Sequence, residues 1–266
     1  MTVTPRSVAI EVAREAGRIL GEHYGRAKEV RYKGEVDLVT EIDVRSETLI
    51  VERIQRYFPE HNILSEESGR TRSPETSSPY RWIIDPLDGT TNFAHGYPFF
   101  CVSIGLERDG ETILGVVYVP TLDELFVAER GFGAFLNGRR LAVSSTDSLI
   151  RSLLVTGFNY DRATARANLA RWEHFLMRSQ AVRRDGSAAL NLCFVAAGRF
   201  DGYWELGLKP WDCAAGALLV REAGGVVTDG EGAQHQFDAP ALIASNPHLH
   251  QALLDGVRAP QPVPRD

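Results

Sequence analysis

The side chains best suited to chemistry lie in the stretch of residues 82–93, which reads WIIDPLDGTTNF. Its short apolar start predicts a strand that enters a tight turn, so Asp85 and Asp88 would stand together at the end of a buried strand. Two carboxylates about 4 Å apart repel by about 4 kcal/mol at an effective dielectric constant of about 20. Such a pair is tolerated when it is splayed into solvent, when one group is protonated, or when a cation lies between the two. Turn formation alone also explains Asp, Pro and Gly at these positions.

Two further acids are predicted at the ends of apolar elements. Glu66 follows a predicted strand over residues 62–65, and Asp212 is predicted to cap a buried helix that runs to Ala223. If the four carboxylates converge on one cleft with the carbonyl group of Leu87, they form a set of hard oxygen ligands. Such ligands suit Mg²⁺ or Mn²⁺ rather than zinc. Two or more of these ions could clamp a phosphate group and activate water for an in-line displacement.

Backbone amides and a hydroxyl group would complete this site. Gly89 and Thr90 can present N–H groups to a phosphate, because glycine allows close approach and a helix start favours anions. The Thr90 hydroxyl is also placed to take a hydrogen bond from the attacking water and to pass the proton to Asp43. Each residue has a structural interpretation as well: Asp43 as a first-turn helix residue, Glu66 as part of a solvated turn, and Ser187 and Asp212 as helix caps.

The composition of the whole chain limits the classes of function. The 266 residues are 44% hydrophobic and 24% charged, with a formal net charge of −6, which is typical of a globular protein with an ample core. The charge gives no support for a nucleic-acid partner. The longest apolar run, residues 214–220, is far shorter than the roughly 20 residues that cross a bilayer, so no membrane partner is expected. Cysteines at 101, 193 and 213 favour buried, reduced thiols and a cytoplasmic protein.

Hydrophobic periodicity predicts the elements that must position these groups. One amphipathic helix begins after a Thr4 cap, and a second begins at Thr40, with Asp43 as its capping-box partner. Antiparallel strands are expected over residues 100–107, 113–118 and 124–128. The second half is predicted to alternate strands with two buried helices, one opening at Gly186-Ser187 and one at Asp212. A last helix is predicted to begin at Pro247, with His248 and His250 on a solvated face.

Several segments, in order, resemble the inositol monophosphatase family. Residues 84–93 (IDPLDGTTNF) are similar to its first signature, and residues 211–216 (WDCAAG), running on to 222–225 (EAGG), are similar to its second. Residues 65–68 (SEES), 186–189 (GSAA) and 37–43 (DLVTEID) also fit the family. The similarity covers about residues 5–255. The chain departs from the family at residues 33–35 (KGE), in the polar turn, and at Asn159, where a proline is often seen, and these departures leave the acids in place.

The resemblance implies an α/β (α+β) fold, a layered αβαβα sandwich of the sugar-phosphatase type. It implies a single domain over residues 1–266 with halves of about 1–145 and 146–258, and the three prolines of residues 259–266 predict a flexible tail. Members of this family are Mg²⁺-dependent, lithium-sensitive and dimeric, so the expected assembly is a homodimer. Two to three Mg²⁺ ions per site are implied, with Mn²⁺ as a substitute.

The resemblance also implies a role for each site residue. Glu66, Asp85 and the Leu87 carbonyl group would hold the first ion, and Asp85, Asp88 and Asp212 would hold the second. A third ion would share Glu66. Thr90 and Asp43 would orient the attacking water, while the amides of Gly89 and Thr90 would hold the phosphate. The hydroxyl groups of the alcohol would contact Gly186, Ser187, Ala188, Glu205 and the outer oxygens of Asp88 and Asp212.

Three functions stay open at the level of sequence. Residues 91–93 and Glu205 favour myo-inositol monophosphate or a similar polyol phosphate as substrate. A broad sugar phosphatase that also accepts fructose 1,6-bisphosphate is the first alternative. A non-catalytic binding or regulatory protein on the same scaffold is the second, although all four acids are kept. Phosphatases that form an aspartyl-phosphate place one residue between their two acids, whereas Pro86 and Leu87 both intervene here.

Overall fold

A computed structural model describes residues 3–26, 30–32, 38–71 and 78–260. The predicted polar turn at residues 33–37 and most of the predicted tail, residues 261–266, lie outside these ranges. The helices of the described residues are α1 (Pro5–His23), α2 (Glu41–Tyr57), α3 (Thr90–Ala94), α4 (Arg162–Leu176), α5 (Ala188–Ala196), α6 (Pro210–Glu222) and α7 (His250–Arg258).

The strands of the described residues form two large sheets and one small hairpin. They are β1 (Val30–Tyr32), β2 (Leu38–Thr40), β3 (Asn62–Ser65), β4 (Gly69–Thr71), β5 (Tyr80–Asp88), β6 (Cys101–Arg108), β7 (Glu111–Val119), β8 (Glu124–Glu129), β9 (Gly133–Leu136), β10 (Arg139–Arg140), β11 (Leu153–Thr156), β12 (Ala181–Arg183), β13 (Gly202–Leu206), β14 (Val226–Thr228) and β15 (Ala241–Ser245). The eight-stranded sheet has the order β10-β9-β8-β7-β6-β5-β3-β4, and the five-stranded sheet has the order β12-β11-β13-β15-β14.

The helices and the two large sheets alternate in layers. Helices α1 and α2 cover one face of the eight-stranded sheet and bury a core that includes Leu20, Ile50 and Trp82. Helices α5 and α6 are buried over residues 188–196 and 213–220, and they lie between the two sheets. Helices α4 and α7 cover the outer face of the five-stranded sheet. This αβαβα order confirms the predicted fold class, because both sheets are covered on both faces.

Gly115 on β7 has no side chain, and this lets α6 lie directly against the eight-stranded sheet. A Cβ atom at Gly115 would stand 2.7 Å from the carbonyl oxygen of Ala215, closer than real Cβ contacts allow. The first turn of α6 therefore lies near the end of β5, and this brings Asp212 toward Asp85 and Asp88.

The predicted caps of α1, α2 and α5 are confirmed. Thr4 accepts a hydrogen bond from the backbone of Ser7, and Ser187 accepts one from the backbone of Leu190. The prediction that Asp212 caps α6 is wrong, because that helix begins at Pro210 and Asp212 is its third residue. Proline suits the first helical position, since its fixed φ is helical and its missing N–H would have no partner there.

The predicted solvated face of the last helix is wrong for His250. The helix begins at His250 rather than at Pro247, and the side chain is buried. One ring nitrogen lies 2.9 Å from the Thr228 hydroxyl and the other lies 2.9 Å from the Ser245 hydroxyl. His248 is exposed, as predicted. The three cysteines are buried and free, also as predicted. No helix of the described residues is long and apolar enough to cross a membrane.

The buried ring of His235 makes a testable contribution to stability. Burial, and then the charge of Arg221, lower its pKa from 6.5 to about 4. The unfolded chain therefore binds a proton below pH 6.5, whereas the folded chain binds it only near pH 4. Since the unfolded state holds more protons in this window, the free energy of unfolding falls as the pH falls from 6.5 to 4.

We expect His235→Gln to reduce that loss of stability by about 1–2 kcal/mol, a value discounted for partial screening by solvent. Urea denaturation of both proteins at pH 7, 6, 5 and 4 measures the effect. The exposed His248→Gln variant is the matched control and should follow the wild-type curve. An identical pH dependence for His235→Gln and the wild type would show that His235 does not contribute.

Candidate active site

One cavity of about 400 Å³ collects the predicted site residues. It is lined by all four acids and by every predicted substrate-contacting residue: Glu66, Asp85, Leu87, Asp88, Gly89, Thr90, Gly186, Ser187, Ala188, Glu205 and Asp212. Asp43 lies one hydrogen bond behind this wall. Strand ends, the first turns of α3, α5 and α6, and two loops from the second half of the chain therefore meet here.

A β-bulge turns Asp85 and Asp88 toward the same cavity. In an unbroken strand, residues three apart point to opposite faces of the sheet. The pairing of β5 with β6 shifts register between Asp85 and Asp88, and the extra residue of a bulge re-aims the side chains that flank it. The backbone N–H of Leu87 donates to Asp85 Oδ1 at 3.0 Å within this bulge. The predicted tight turn is thus a bulged continuation of the strand.

Gly89 ends the strand in a conformation that other residues rarely adopt. Its φ is 97°, and a Cβ atom there would lie 2.8 Å from the carbonyl oxygen of Phe99. Gly89 is the N-cap of α3, so Thr90 is the first helical residue and not the cap. The Thr90 hydroxyl lies 2.9 Å from Asp43 Oδ1 and 3.0 Å from the carbonyl oxygen of Leu87.

The capping box of α2 fixes the orientation of Asp43. The backbone N–H and the hydroxyl of Thr40 both donate to Asp43 Oδ2, at 2.9 and 2.5 Å. The second oxygen, Oδ1, is left to face Thr90. Burial raises the pKa of Asp43, while the hydrogen bonds from Thr40 and Thr90 lower it. One carboxylate therefore serves both the helix start and the site.

Asp88 connects the two halves of the chain. Its Oδ2 atom accepts hydrogen bonds from the Ser187 hydroxyl and from the backbone N–H of Ala189, both at 2.7 Å. These donors belong to the start of α5, so the acid of β5 also caps a helix from the second half. Asn92 adds a second link, because its side chain donates to the carbonyl oxygen of Asp185 at 2.7 Å.

The remaining two metal candidates lie in segments that hydrogen bonds hold in place. Asp212 accepts a hydrogen bond from the backbone N–H of Lys209 at 2.6 Å. Glu66 lies between two residues that the buried carboxylate of Glu47 binds, the Ser65 hydroxyl and the backbone N–H of Glu67. Sequence reasoning missed Glu47. An acid on the apolar face of α2 was the signal that could have identified it.

The acids of the cavity disfavour one another's charge. Burial, followed by the charges of Glu66, Asp88 and Asp212, raises the pKa of Asp85 well above its ordinary value. Burial, followed by the charge of Asp88, does the same to Asp212. Burial also raises the pKa of Asp88, which the Ser187 hydroxyl and the amides of α5 lower in turn. A bound cation would remove this repulsion.

The donor set fits a hard divalent cation. Four carboxylates and the Leu87 carbonyl oxygen offer only oxygen ligands, which suit Mg²⁺ or Mn²⁺. Within the described ranges, no three acidic, histidine or cysteine side chains already stand together as a metal site. The acids thus share a cavity without already enclosing one point.

Sequence reasoning also missed several residues of the cavity wall. Arg184 and Lys209 contribute positive charge, while Tyr160 and Trp211 contribute aromatic surface. The signal for Arg184 and Lys209 was their position two and three residues from Gly186 and Asp212. The Tyr160 and Thr91 hydroxyl groups lie 3.1 Å apart and link the two halves again.

Glu205 also lines the cavity, and the buried Tyr203 lies behind it. The Tyr203 hydroxyl lies 2.5 Å from Glu205 Oε2. Burial raises the pKa of Glu205 to about 7. Burial and the charge of Glu205 hold the pKa of Tyr203 well above its ordinary value, so this hydroxyl stays protonated and donates.

Comparison with known proteins decides the family. The sequence pattern of the inositol monophosphatase family matches residues 4–260. The chain belongs to the inositol monophosphatase family. It is 45% identical over 255 residues to inositol monophosphatase 2 of Solanum lycopersicum, covering 94% of this chain and 96% of that protein. The solved inositol monophosphatase of Anabaena superimposes with a TM-score of 0.86 at 44% identity, covering 96% of each chain.

One of the similar proteins carries a name of a different kind. The chain is 43% identical over 257 residues to the Nus factor SuhB of Escherichia coli strain K12, covering 95% of each protein. The family resemblance that the two signatures predicted is therefore confirmed over nearly the whole chain.

Proposed function

We propose that this protein hydrolyses the phosphomonoester of myo-inositol monophosphate or of a similar polyol or sugar phosphate, by in-line attack of water with Mg²⁺. The observation that carries the proposal is the arrangement of the Thr90–Asp43 pair, which opens onto the same cavity as the four acids and Glu205. Relatives named inositol monophosphatase support the substrate class.

In this proposal the acids divide between two to three ions. Glu66, Asp85 and the Leu87 carbonyl oxygen would hold the first, and Asp85, Asp88 and Asp212 would hold the second. A third ion would share Glu66, and Mn²⁺ could substitute. When bound, such ions polarise the phosphate and lower the pKa of the attacking water.

The protein's own residues orient the water and the ester. The Thr90 hydroxyl donates to Asp43 Oδ1 at 2.9 Å, so its oxygen is left as an acceptor toward the cavity. A water that donates to Thr90 is oriented for attack, and its proton moves through the Thr90 hydroxyl to Asp43. The amides of Gly89 and Thr90 hold the phosphate. Glu205, together with residues 186–188 and the outer oxygens of Asp88 and Asp212, receives the hydroxyl groups of the alcohol.

Mg²⁺ is expected to stabilise the folded protein, because it neutralises carboxylates that otherwise raise one another's pKa. An ion at a hundredfold excess over its Kd raises the melting temperature of a chain of this size by roughly 5 °C. Differential scanning calorimetry in EDTA and in excess Mg²⁺, at matched ionic strength, measures the shift. Asp88→Asn should reduce it. No shift in the wild type would argue against a shared cation site.

The proposed activity is tested by phosphate release from a substrate panel in Mg²⁺, with and without lithium. The panel contains inositol 1-phosphate, fructose 1,6-bisphosphate, histidinol phosphate, phosphoadenosine phosphate and β-glycerophosphate. We expect preferential, lithium-sensitive release from inositol 1-phosphate. Equal turnover of several esters would redefine the protein as a broad sugar phosphatase. No release from any ester would contradict a catalytic function.

A regulatory role is the second candidate, and the relative named Nus factor SuhB favours it. This role would use the surface of the same scaffold and does not need turnover. A catalytically disabled but folded variant separates the two functions in cells. A deletion phenotype that Asp88→Asn rescues as well as the wild type would belong to the regulatory role. A phenotype that only the wild type rescues would belong to hydrolysis.

We further propose a cytoplasmic homodimer. The three buried free thiols support a reducing compartment, and dimerisation follows the family resemblance. Light scattering coupled to size-exclusion chromatography should give twice the mass of one chain, and a monomeric mass would contradict the proposal.

A further inference from the structure

We propose that Tyr203 and Gly157 are positioning residues that clamp Glu205 and thereby make the site selective for alcohols with several hydroxyl groups. The proposal rests on the proposed function, since it specifies how the same cavity recognises its substrate. It assigns a role to a core tyrosine behind the cavity wall and to a loop glycine that lines the cavity.

The tyrosine side of the clamp is rigid. Tyr203 is fully buried in β13, between β11 and β15 of the five-stranded sheet. Its hydroxyl donates to Glu205 Oε2 at 2.5 Å, which lies at the short end of the usual range for a hydroxyl donor to a carboxylate. This bond occupies one oxygen of Glu205 and leaves Oε1 to accept a hydroxyl group of the alcohol.

On the glycine side of the clamp, the absence of a side chain at Gly157 leaves room for the carboxylate of Glu205. A Cβ atom at Gly157 would lie 2.0 Å from Glu205 Oε2 and 2.2 Å from both Cδ and Oε1. The carboxylate thus fills the volume that any other residue at position 157 would occupy.

A buried network keeps this glycine in place. The Asn168 side chain donates to the Gly157 carbonyl oxygen at 2.7 Å and accepts from the Trp204 ring N–H at 2.8 Å. Because Trp204 lies between Tyr203 and Glu205 on β13, the loop that carries Gly157 is tied to the same strand. Glu205 is therefore held between strand β13 and the loop that carries Gly157, and Asn168 links these two elements.

A fixed carboxylate changes recognition of the alcohol and not of the phosphate. A free glutamate would lose rotamer freedom on binding, whereas a clamped one has already lost it on folding. The resulting gain in binding affinity applies only to esters whose alcohol has a hydroxyl group to donate to Glu205. Loosening the clamp should therefore raise KM for inositol 1-phosphate and leave an ester without hydroxyl groups unaffected.

Tyr203→Phe tests the proposal, because it removes only the donor hydroxyl. We expect KM for inositol 1-phosphate to rise about five- to tenfold, the usual effect of losing one hydrogen bond, with kcat changed less than twofold. For phenyl phosphate, both constants should stay within twofold of the wild type. Tyr118→Phe is the matched control, since its hydroxyl also contacts a carboxylate, Asp123 at 3.0 Å, on a different part of the surface.

Two more variants distinguish positioning from structural support. In a Glu205→Gln background, Tyr203→Phe should add less than a twofold change, because its effect passes through Glu205. Gly157→Ala should reproduce the rise in KM by displacing the carboxylate. Equal losses for both esters, or full additivity in the double variant, would overturn the clamp.

The failure of the clamp and the failure of the proposed function give different results. A wild type that hydrolyses none of the esters contradicts the proposed function. If that protein still binds inositol 1-phosphate, a five- to tenfold higher calorimetric Kd for Tyr203→Phe supports the clamp, and an unchanged Kd overturns it. If the wild type does not bind the ester, both proposals fail.

Discussion

Asp88→Asn is expected to lower kcat by roughly a thousandfold or more, because it removes one negative charge from the proposed site of the second ion. The fold should survive. The asparagine oxygen can still accept from the Ser187 hydroxyl and the Ala189 N–H, which both lie 2.7 Å from Asp88 Oδ2. Steady-state hydrolysis of inositol 1-phosphate and a thermal melt of the same sample measure the two effects.

The control for this variant is Asp229→Asn. Asp229 also accepts two backbone N–H groups, from Glu231 at 2.8 Å and from Ala233 at 2.9 Å, but it lies in a turn away from the cavity. The same loss of one charge there should leave kcat unchanged. Near-normal turnover of Asp88→Asn in Mg²⁺ would show that the metal assignment is wrong.

The second large effect is expected for Thr90→Ala, which should lower kcat by about 10²- to 10⁴-fold. The variant removes the hydroxyl that links Asp43 to the cavity, since Thr90 Oγ1 lies 2.9 Å from Asp43 Oδ1. KM should change little, because the backbone amide of residue 90 remains to contact the phosphate.

Thr90→Ser keeps the hydroxyl and is expected to stay within about tenfold of the wild type. Thr91→Ala is the neighbouring control, because its hydroxyl contacts Tyr160 at the exposed rim. If Thr90→Ala and Thr90→Ser lose activity equally, the threonine methyl group matters and the hydroxyl does not, and the proposed proton path fails.

The sequence was sufficient to predict the features that depend on local pattern. The capping box of Thr40 and Asp43, the opening of α5 at Ser187 and the layered fold class all follow from spacing, capping chemistry and family signatures. The meeting of Glu66, Asp85, Asp88 and Asp212 in one cavity also agrees with the expectation that acids at element ends converge.

The features that could not be predicted depend on contacts between distant segments. The bulge in β5 is defined by its register with β6, and nothing in the local sequence distinguishes it from a turn. His250 is buried because Thr228 and Ser245, from β14 and β15, offer partners for both ring nitrogens. The start of α6 is a different case, since Pro210 marks the first helical position, whereas the prediction chose Asp212 for its side-chain capping chemistry.

The shared use of Asp43 has a consequence for protein engineering. Glutamate is the more common residue at this position of a capping box, so a design that optimises the helix alone would select it. The longer side chain would place its carboxylate about one methylene group further from the backbone. One carboxylate could then no longer accept hydrogen bonds from the Thr40 and Thr90 hydroxyl groups at the same time. Stability and activity therefore make opposite demands on one carboxylate. Attempts to make this protein more heat-resistant should leave the first turn of α2 unchanged and alter its outward-facing residues.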